Sequence, residues 1–328
     1  MKLVTFEVGS NIGALLRVGA VVDDVIVDLQ IAFKLYLREA LGVARAAELA
    51  GAIIPGGMLA FIENGPVALE AAGQALDHLG AAGTPMVVER ERAAYRVSEV
   101  RLRAPIPRPV SLRDTLNFEV HLKNAMKALN RDIPKLWYEL PTFYRTTHTN
   151  VAGPEDPIMW PSFTEQLDYE LEFACCIGKE GKSIPRDKAS DYIFGYTIFN
   201  DISARDILAK ELGLGVGPAK GKNFANANIM GPCLVTADEI DADNVRMVAR
   251  INGEVWSEGN SKDMHFKFSE LIEYLTMDEP IYPGEFIASG TVGFGCCLEL
   301  GKWIKPGDVV ELEVEGIGVL RNTVMDKA

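Results

Sequence analysis

The sequence predicts a β-rich α+β protein in which a small α/β N-terminal domain, residues 1–106, precedes a larger domain, residues 107–328. Two observations predict this class. Short Val- and Leu-rich segments separated by Gly, Pro and Asp turns dominate the second part of the chain. Ala- and Leu-rich stretches, which favour helices, are concentrated between residues 32 and 82. The length of 328 residues suits about two domains.

The N-terminal domain is predicted to begin with strands and to continue with helices. The expected strands are LVTFEV, ALLRVGAVV and VIVDL. The expected helices are AFKLYLREALGVARAAELAG and PVALEAAGQALDHLG. The segment VSEVRLRAPIPRPVSLRD alternates and then becomes rich in proline, which places the domain boundary near residue 106.

The second domain is predicted to hold most of the strands and all of the chemistry. The expected strands are LDYELEFACCIG, YIFGYTIFND, GPCLVT, VRMVARING, CCLEL and DVVELEVEGIGVLRN. Helices are expected to start at Ser203 and Ser269. HLKNAMKALNR indicates an amphipathic helix, and the longer segment HLKNAMKALNRDIPKLWYELP is either a lid that orders over a substrate or an ordinary surface helix.

The composition is typical of a soluble globular protein and argues against nucleic acid or a membrane as the main partner. Hydrophobic residues make up 48% and charged residues 24%. The 33 basic and 46 acidic side chains give a net charge of −13, whereas nucleic acid and anionic membranes bind positively charged surfaces. We see no apolar run of transmembrane length and no signal peptide in MKLVTFEVGS, so we expect a cytoplasmic protein. The adjacent pairs Cys175-Cys176 and Cys296-Cys297 predict buried, reduced thiols.

Several common catalytic motifs are missing from the sequence. There is no GxSxG, no GxGxxG after a strand and no HExxH. The loop at residues 217–223 lacks the glycine spacing of a phosphate loop and has Asn223 where Ser or Thr would hold magnesium. Four histidines in the whole chain argue against a multi-histidine zinc site.

An alternation of acids and apolar residues marks the segment that begins at Asp168 and continues with Glu170 and Glu172. On a strand these three carboxylates would share the face opposite the core. At a separation of about 6.5 Å they would repel each other by roughly 2–3 kcal/mol, so either water screens them or a cation lies between them. Oxygen ligands suit Mg²⁺, Mn²⁺ or Ca²⁺. Spacing alone does not decide, because ELEVE at 311–315 alternates similarly and is expected to be a solvated strand face.

Other polar residues support a site around the acidic strand. Asp201 ends the apolar strand YIFGYTIFN, and Arg205 follows four residues later. Asp114 and His121 follow a proline-rich segment in a similar way. Polar residues that follow strands or lie in loops commonly form binding and catalytic sites.

Five blocks of sequence resemble the fumarylacetoacetate hydrolase family, in the family's order. The blocks are TEQLDYELEFACCIGKEG, IFGYTIFNDISARDIL, GPAKGKNFANANIMGPCLVT, IASGTVGFG and WIKPGDVVELEVEGIGVLRN. The resemblance implies a mixed β-sandwich roll, a small N-terminal domain and a homodimer. It also implies a divalent cation, with Mg²⁺ expected and Mn²⁺ or Ca²⁺ as alternatives, a 2-oxo or 2,4-dioxo acid as substrate, and a role in the breakdown of aromatic compounds.

The resemblance also implies a role for individual acidic residues. The two strand carboxylates that bind the metal match Glu170 and Glu172, and the aspartate of the NDxSARD block matches Asp201. Asp114 matches a further aspartate ligand found in the hydrolase branch, seven residues before the catalytic histidine. Asp168 belongs to the same signature, but we assign it no ligand role.

The remaining site residues follow from the same resemblance. His121 matches the catalytic histidine, and Glu299 matches the glutamate that orients it. Lys222 and Arg205 match cationic groups near the substrate, and Lys222 is expected to take part in catalysis as well as in substrate binding. Thr291 matches the substrate-binding threonine of the SGT turn.

Two positions depart from the hydrolase that gives the family its name. A glutamine three residues after the arginine is replaced by Leu208, and a tyrosine two residues after the first aspartate is replaced by Leu116. Both changes remove polar contacts to the substrate and argue against fumarylacetoacetate itself.

The leading hypothesis is a metal-dependent hydrolase that cleaves a C–C bond in a 2,4-dioxo acid. In it, His121 accepts a proton from water and Glu299 holds the imidazole in the required tautomer. Lys222 and Arg205 offset negative charge on the substrate. The alternatives are a decarboxylase of the oxaloacetate type, a hydratase or isomerase of unsaturated 2-oxo acids, and a non-catalytic metal-binding protein.

Overall fold

The predicted order of strands followed by helices is confirmed in the N-terminal part of the chain. A computed structural model describes residues 1–11, 13–82, 87–88, 91–128, 131–215 and 217–327. The elements of the N-terminal part are β1 (Lys2–Ser10), β2 (Gly13–Val22), β3 (Val25–Asp28), α1 (Leu29–Glu39), α2 (Ala46–Ile53), α3 (Met58–Glu63), α4 (Gly65–Ala82), β4 (Val87–Val88), β5 (Glu91–Arg92), β6 (Ala94–Arg96) and β7 (Arg101–Arg103).

The second part is rich in strands, as predicted. Its elements are β8 (Leu112–Thr115), α5 (Glu119–Ala128), β9 (Phe143–Arg145), β10 (Val151–Ala152), β11 (Ile158–Trp160), β12 (Leu167–Asp168), β13 (Leu171–Ile177), β14 (Gly181–Lys182), β15 (Ile193–Asp201), β16 (Ser203–Ala204), α6 (Arg205–Gly213), β17 (Asn228–Thr236), β18 (Arg246–Ile251), β19 (Glu254–Asn260), α7 (Phe268–Leu275), β20 (Pro280–Ile281), β21 (Phe286–Ala288), α8 (Cys297–Leu300), β22 (Val309–Val314) and β23 (Gly318–Lys327). Short 3₁₀ turns connect several of these elements.

Three local expectations need correction. The segment CCLEL is not a strand, because residues 297–300 form the short helix α8. Ser203 does not start a helix, because it pairs in β16 and α6 begins at Arg205. The helix expected at Ser269 begins one residue earlier, at Phe268. The lid hypothesis stays a prediction, and two of its residues, 129 and 130, lie outside the described part of the chain.

A large sheet forms the centre of the molecule. Within the described residues it has 12 strands, and its main path runs β6-β3-β2-β1-β17-β15-β13-β21-β8-β9. β1 pairs antiparallel with β17, so strands from the N-terminal part continue the sheet of the second part. The division at residue 106 stays a prediction, and the hydrogen-bonded sheet runs across it.

Strand β13 is buried on both faces, which explains its continuous apolar run. Phe173 and Cys175 belong to a core shared with a second sheet, whose order is β11-β23-β22-β18-β19. Ala174 and Cys176 belong to another core, shared with helices α1–α4. The main sheet is therefore the middle layer between the second sheet and the N-terminal helices.

In the second sheet, the alternating acids of ELEVE behave as predicted for a solvated face. Along β22, buried and partly exposed residues alternate. Glu311 and Glu313 are among the partly exposed residues, and Glu313 pairs with Arg250. Among the described residues, no helix is both long and apolar enough to span a membrane.

Candidate metal centre and active site

Three carboxylates lie on one face of the main sheet: Asp114, Glu172 and Asp201. Each is two residues from a side chain that packs against the N-terminal helices, namely Leu112, Ala174 and Phe199. Because residues two apart on a strand share a face, the three carboxylates project from β8, β13 and β15 on the same side as those apolar side chains. We call these three residues the acid cage.

The acid cage has the properties of a cation site. One oxygen of each residue (Asp114 Oδ1, Glu172 Oε2 and Asp201 Oδ1) is buried without a hydrogen-bond partner among the described residues. One possible ligand atom from each residue lies within 4.8 Å of the other two. Burial, together with the neighbouring carboxylates, raises the pKa of Asp114 and of Glu172 well above the usual values. A divalent cation would offset the cost of these unpaired buried oxygens, and the oxygen-only donor set suits Mg²⁺, Mn²⁺ or Ca²⁺.

Glu170, the fourth predicted ligand, lies beside the acid cage and is occupied by cationic side chains. Arg205 Nη2 donates to Glu170 Oε1 at 2.6 Å. Lys222 Nζ donates to both Glu170 and Asp201 and so joins Glu170 to the cage. Burial opposes ionisation of Glu170, but Arg205 and Lys222 hold its pKa below the usual range. Its role as a metal ligand stays a prediction.

Asp168 is fully buried and binds other parts of the protein. Its carboxylate accepts hydrogen bonds from the backbone amides of Cys297 at 2.6 Å and Leu298 at 3.1 Å, at the start of α8. It also accepts one from Arg205 Nε at 2.7 Å. Asp168 therefore fixes the position of α8 and, through Arg205, that of Glu170. The single strand expected for the three acids is interrupted, because Asp168 belongs to β12, Glu172 belongs to β13 and Glu170 lies between the two strands.

His121 and Glu299 form a pair beside Glu170. His121 is on α5 and Glu299 on α8, and Nδ1 of the histidine lies 2.8 Å from Oε2 of the glutamate. Asn124 Nδ2 and the amide of Phe294 donate to the other glutamate oxygen at 2.9 and 3.0 Å. Burial opposes ionisation, but these hydrogen bonds keep the pKa of Glu299 below its usual value. Nε2 of His121 lies 4.0 Å from Glu170, so this nitrogen is on the side of the acids.

Thr291 contacts the acid cage itself. Its Oγ1 donates to Glu172 Oε1 at 3.0 Å. The contact leaves the other glutamate oxygen, Oε2, without a partner among the described residues. The structure therefore shows Thr291 as a support for a cage residue, and its predicted contact with substrate stays a prediction.

Three residues at this site were not predicted from the sequence. The buried hydroxyl of Tyr144 donates to Asp201, and Tyr144 pairs with Asp114 across β8 and β9. Asn124 holds Glu299 from one turn further along α5. Cys296 Sγ lies 3.3 Å from Glu299 Oε2. Asn124 lies three residues after His121, so helical geometry could have predicted that the two side chains are neighbours. The position of Tyr144 depends on strand pairing that no local pattern reveals.

The comparisons with known proteins identify the family. A model of the fumarylacetoacetate (FAA) hydrolase C-terminal region matches residues 111–325. The chain therefore belongs to the fumarylacetoacetate hydrolase family, whose members are enzymes: hydrolases, isomerases and tautomerases.

Curated relatives cover most of the chain. The mitochondrial oxaloacetate tautomerase FAHD2A of Homo sapiens is 33% identical over 275 residues, which are 83% of this chain and 81% of that protein. An uncharacterized protein of Methanocaldococcus jannaschii is 39% identical over 214 residues, 65% of this chain and 81% of that protein.

Solved structures confirm the predicted fold. The fumarylacetoacetate hydrolase of Exiguobacterium antarcticum matches with a TM-score of 0.70 and 25% identity, covering 99% of both chains. The maleylpyruvate hydrolase of Sphingobium sp. SYK-6, in complex with manganese(II) and pyruvate, matches with a TM-score of 0.70 and 20% identity over 100% of both chains. At 20% identity, the similarity to the maleylpyruvate hydrolase concerns the fold alone.

Proposed function

We propose that the protein is a metal-dependent hydrolase that cleaves a C–C bond in a 2,4-dioxo acid of the acylpyruvate type. The observation that carries the proposal is the approach of His121 Nε2 to within 4.0 Å of Glu170, which Lys222 joins to Asp201 of the acid cage. Glu299 would hold the imidazole of His121 in the tautomer that can accept a proton from water. A cation held by the buried cage oxygens would bind the adjacent carbonyl and carboxylate oxygens of such a substrate.

The side chains divide the chemistry between them. A divalent cation in the acid cage would polarise the carbonyl oxygens of the substrate and stabilise negative charge developing there. His121 donates its Nδ1 proton to Glu299, so that Nε2 is free to accept a proton from water. That water adds to the C4 carbonyl, and the C3–C4 bond breaks to release a carboxylic acid. His121 returns the proton to C3, which gives the 2-oxo acid, and Glu299 stabilises the imidazolium in the meantime.

Lys222 and Arg205 are the cationic groups of this proposal. Both are buried, and both are bound to Glu170. The Lys222 ammonium also contacts Asp201 of the acid cage and is therefore next to the place where negative charge develops. We propose that Lys222 stabilises that charge directly, and that Arg205, Thr291 and Lys222 contribute to substrate binding.

A second function is supported by a specific relative. The human protein that is 33% identical to this chain is named an oxaloacetate tautomerase. A tautomerase or another isomerase of 2-oxo dicarboxylic acids needs a base that moves a proton, and His121 Nε2 fits that role without an attacking water. A decarboxylase of the oxaloacetate type would need only stabilisation of the charge left on carbon.

Product analysis on a panel of 2-oxo and 2,4-dioxo acids, with Mg²⁺ or Mn²⁺, separates these functions. Hydrolysis in ¹⁸O-labelled water places one labelled oxygen in the released carboxylic acid. Tautomerisation exchanges the C3 hydrogens with deuterated solvent and leaves the carbon chain intact, and decarboxylation releases CO₂ without ¹⁸O in an acid product. Cleavage with ¹⁸O incorporation supports the leading proposal. Exchange or CO₂ release alone would replace it with the second function.

The native ion and the assembly state are part of the proposal. We propose Mg²⁺, because all donors of the acid cage are oxygens, and a homodimer, on the strength of the family resemblance. Metal analysis of the purified protein tests the first, and sedimentation velocity tests the second. The expected cytoplasmic location and the role in breakdown of aromatic compounds stay predictions.

A further inference from the structure

Cys296 forms a compact cluster with His121 and Glu299. Its Sγ atom lies 3.3 Å from Glu299 Oε2 and 4.0 Å from His121 Nδ1, and the latter two atoms lie 2.8 Å apart. One possible ligand atom from each of the three residues lies within 4.8 Å of the others. The proposed chemistry does not use the thiol, and Cys296 is fully buried at this point.

We propose that Cys296, His121 and Glu299 form a second metal site, selective for Zn²⁺ and similar thiophilic cations, and that an ion bound there switches off the catalytic base. The inhibitory part rests on the proposed function, whereas the site itself rests on the cluster alone.

The geometry of the cluster is close to that of a zinc site. Tetrahedral zinc with usual Zn–S, Zn–N and Zn–O bonds places neighbouring ligand atoms about 3.4–3.6 Å apart. The three separations of 2.8, 3.3 and 4.0 Å bracket these values, so small side-chain shifts suffice. Asn124 and the Phe294 amide donate hydrogen bonds to Oε1 of Glu299. These bonds orient the carboxylate so that its other oxygen, Oε2, is available to the ion. The fourth position is left to water.

The two neighbouring sites differ in their choice of metal. The acid cage has only oxygen donors, which suit Mg²⁺ or Mn²⁺, whereas the cluster supplies a thiolate, an imidazole and a carboxylate. Soft thiolate ligands select zinc over magnesium. With Mg²⁺ in excess, the acid cage is therefore expected to keep Mg²⁺ while the cluster takes Zn²⁺.

Binding at the cluster removes the base by changing the histidine tautomer. The thiol of Cys296 loses its proton to solvent when sulfur bonds to the ion. His121 bonds through Nδ1, and the proton formerly on Nδ1 is carried on Nε2 in the neutral ring. Nε2 then has no lone pair to accept a proton from water, and Glu299 is committed to the ion. Turnover is expected to stop although the acid cage is intact.

Cobalt titration tests the site independently of turnover. In protein saturated with Mg²⁺, added Co²⁺ is expected to give a sulfur-to-cobalt charge-transfer absorption band. The band should persist in Cys297→Ser, the matched control at the adjacent buried thiol, and disappear in both Cys296→Ser and Cys296→Ala. Circular dichroism confirms that each variant is folded. A wild-type protein without the band, or a band that survives in both Cys296 variants, would overturn the proposal.

Zinc inhibition tests the switch. With Mg²⁺ in excess, Zn²⁺ is expected to inhibit the wild type and Cys297→Ser, each measured against its own zinc-free rate. Loss of one of three ligands should raise the inhibitory Zn²⁺ concentration at least about tenfold in Cys296→Ser. Equal inhibition of all three proteins would overturn the switch. A Cys296-dependent cobalt band with no zinc inhibition would uphold the site and contradict the role of His121 as base.

Discussion

At the scale of single residues, the paired side chains His121 and Glu299 carry the proposed chemistry. We predict that His121→Ala and Glu299→Gln each lower kcat by about 10²–10⁴-fold, the usual contribution of a general base. Because the two residues act as one unit, the double variant should lose little more than His121→Ala alone. Steady-state kinetics on the substrate found by product analysis checks this.

The control is a histidine that belongs neither to the acid cage nor to the His121–Glu299 pair. His78 lies on α4 and contacts Glu39, so His78→Ala is expected to keep the wild-type kcat. If His121→Ala and Glu299→Gln both retain full activity, activation of water by this pair is wrong.

A second residue-scale prediction concerns Asp168, a positioning residue. Asp168→Asn removes a buried partner of Arg205 and an acceptor for the α8 amides. We expect the free energy of unfolding to fall by about 3 kcal/mol. kcat should also fall, since α8 carries Glu299, and KM should change less. Urea denaturation and steady-state kinetics measure the two effects.

The matched control is Asp206→Asn, one residue after Arg205. Asp206 is half-buried and accepts hydrogen bonds from Thr164 and the Glu165 amide, away from the acid cage. This variant should be less destabilised and should keep kcat. A stable Asp168→Asn protein with normal kcat would show that α8 does not depend on this carboxylate.

At the scale of elements, the turn after β21 joins two parts of the site. Gly290 has φ +77°, and a Cβ atom there would lie 2.3 Å from the backbone oxygen of Thr115 at the end of β8. β8 carries Asp114, and Thr291 supports Glu172. Gly290→Ala is therefore expected to destabilise the protein by more than the roughly 1 kcal/mol cost of a left-handed backbone, and to weaken metal binding.

Gly301 is the control that separates the effect of a left-handed backbone from the effect of a close contact. It has φ +65° at the end of α8, and a Cβ atom there would have open space around it, with no contact within 4 Å among the described residues. Gly301→Ala should cost only about 1 kcal/mol. Thermal unfolding of both variants and calorimetric titration with Mn²⁺ check the comparison. Equal losses of stability would mean that the close approach of Gly290 to Thr115 is unimportant.

Elements with a regular pattern were predictable from the sequence, and those that depend on distant partners were not. The strands β13, β15 and β22 follow from their apolar or alternating runs. The helix α8 has four residues, too few for a periodic pattern, and its first amides are held by Asp168, far earlier in the chain. The family resemblance predicted the acid cage residues. That they share a face of the sheet and have unpaired oxygens could be found only from the structure.

At the scale of the whole molecule, the N-terminal part covers one face of the main sheet. Apolar side chains of that face pack against helices α1–α4; they include Ala174, Cys176, Phe199, Met230, Leu234 and Phe286. We predict that a chain trimmed to residues 107–328 exposes this face and aggregates, because large apolar patches are association surfaces. Size-exclusion chromatography of the trimmed and full-length chains checks this. A soluble trimmed chain with native circular dichroism would support the boundary at 106 as a true domain boundary.

The proposed activity of the whole molecule depends on the acid cage as a cation site. The most direct measurement is calorimetric titration of metal-free protein with Mn²⁺, for the wild type, Asp114→Asn, Glu172→Gln and Asp201→Asn, with Glu311→Gln as a control acid on the second sheet. We predict that each cage variant weakens binding by at least about 100-fold, since loss of outer partners alone costs about 10–100-fold. The control should bind as the wild type does. Unchanged affinity in all three cage variants, or no binding to the wild type, would contradict the account.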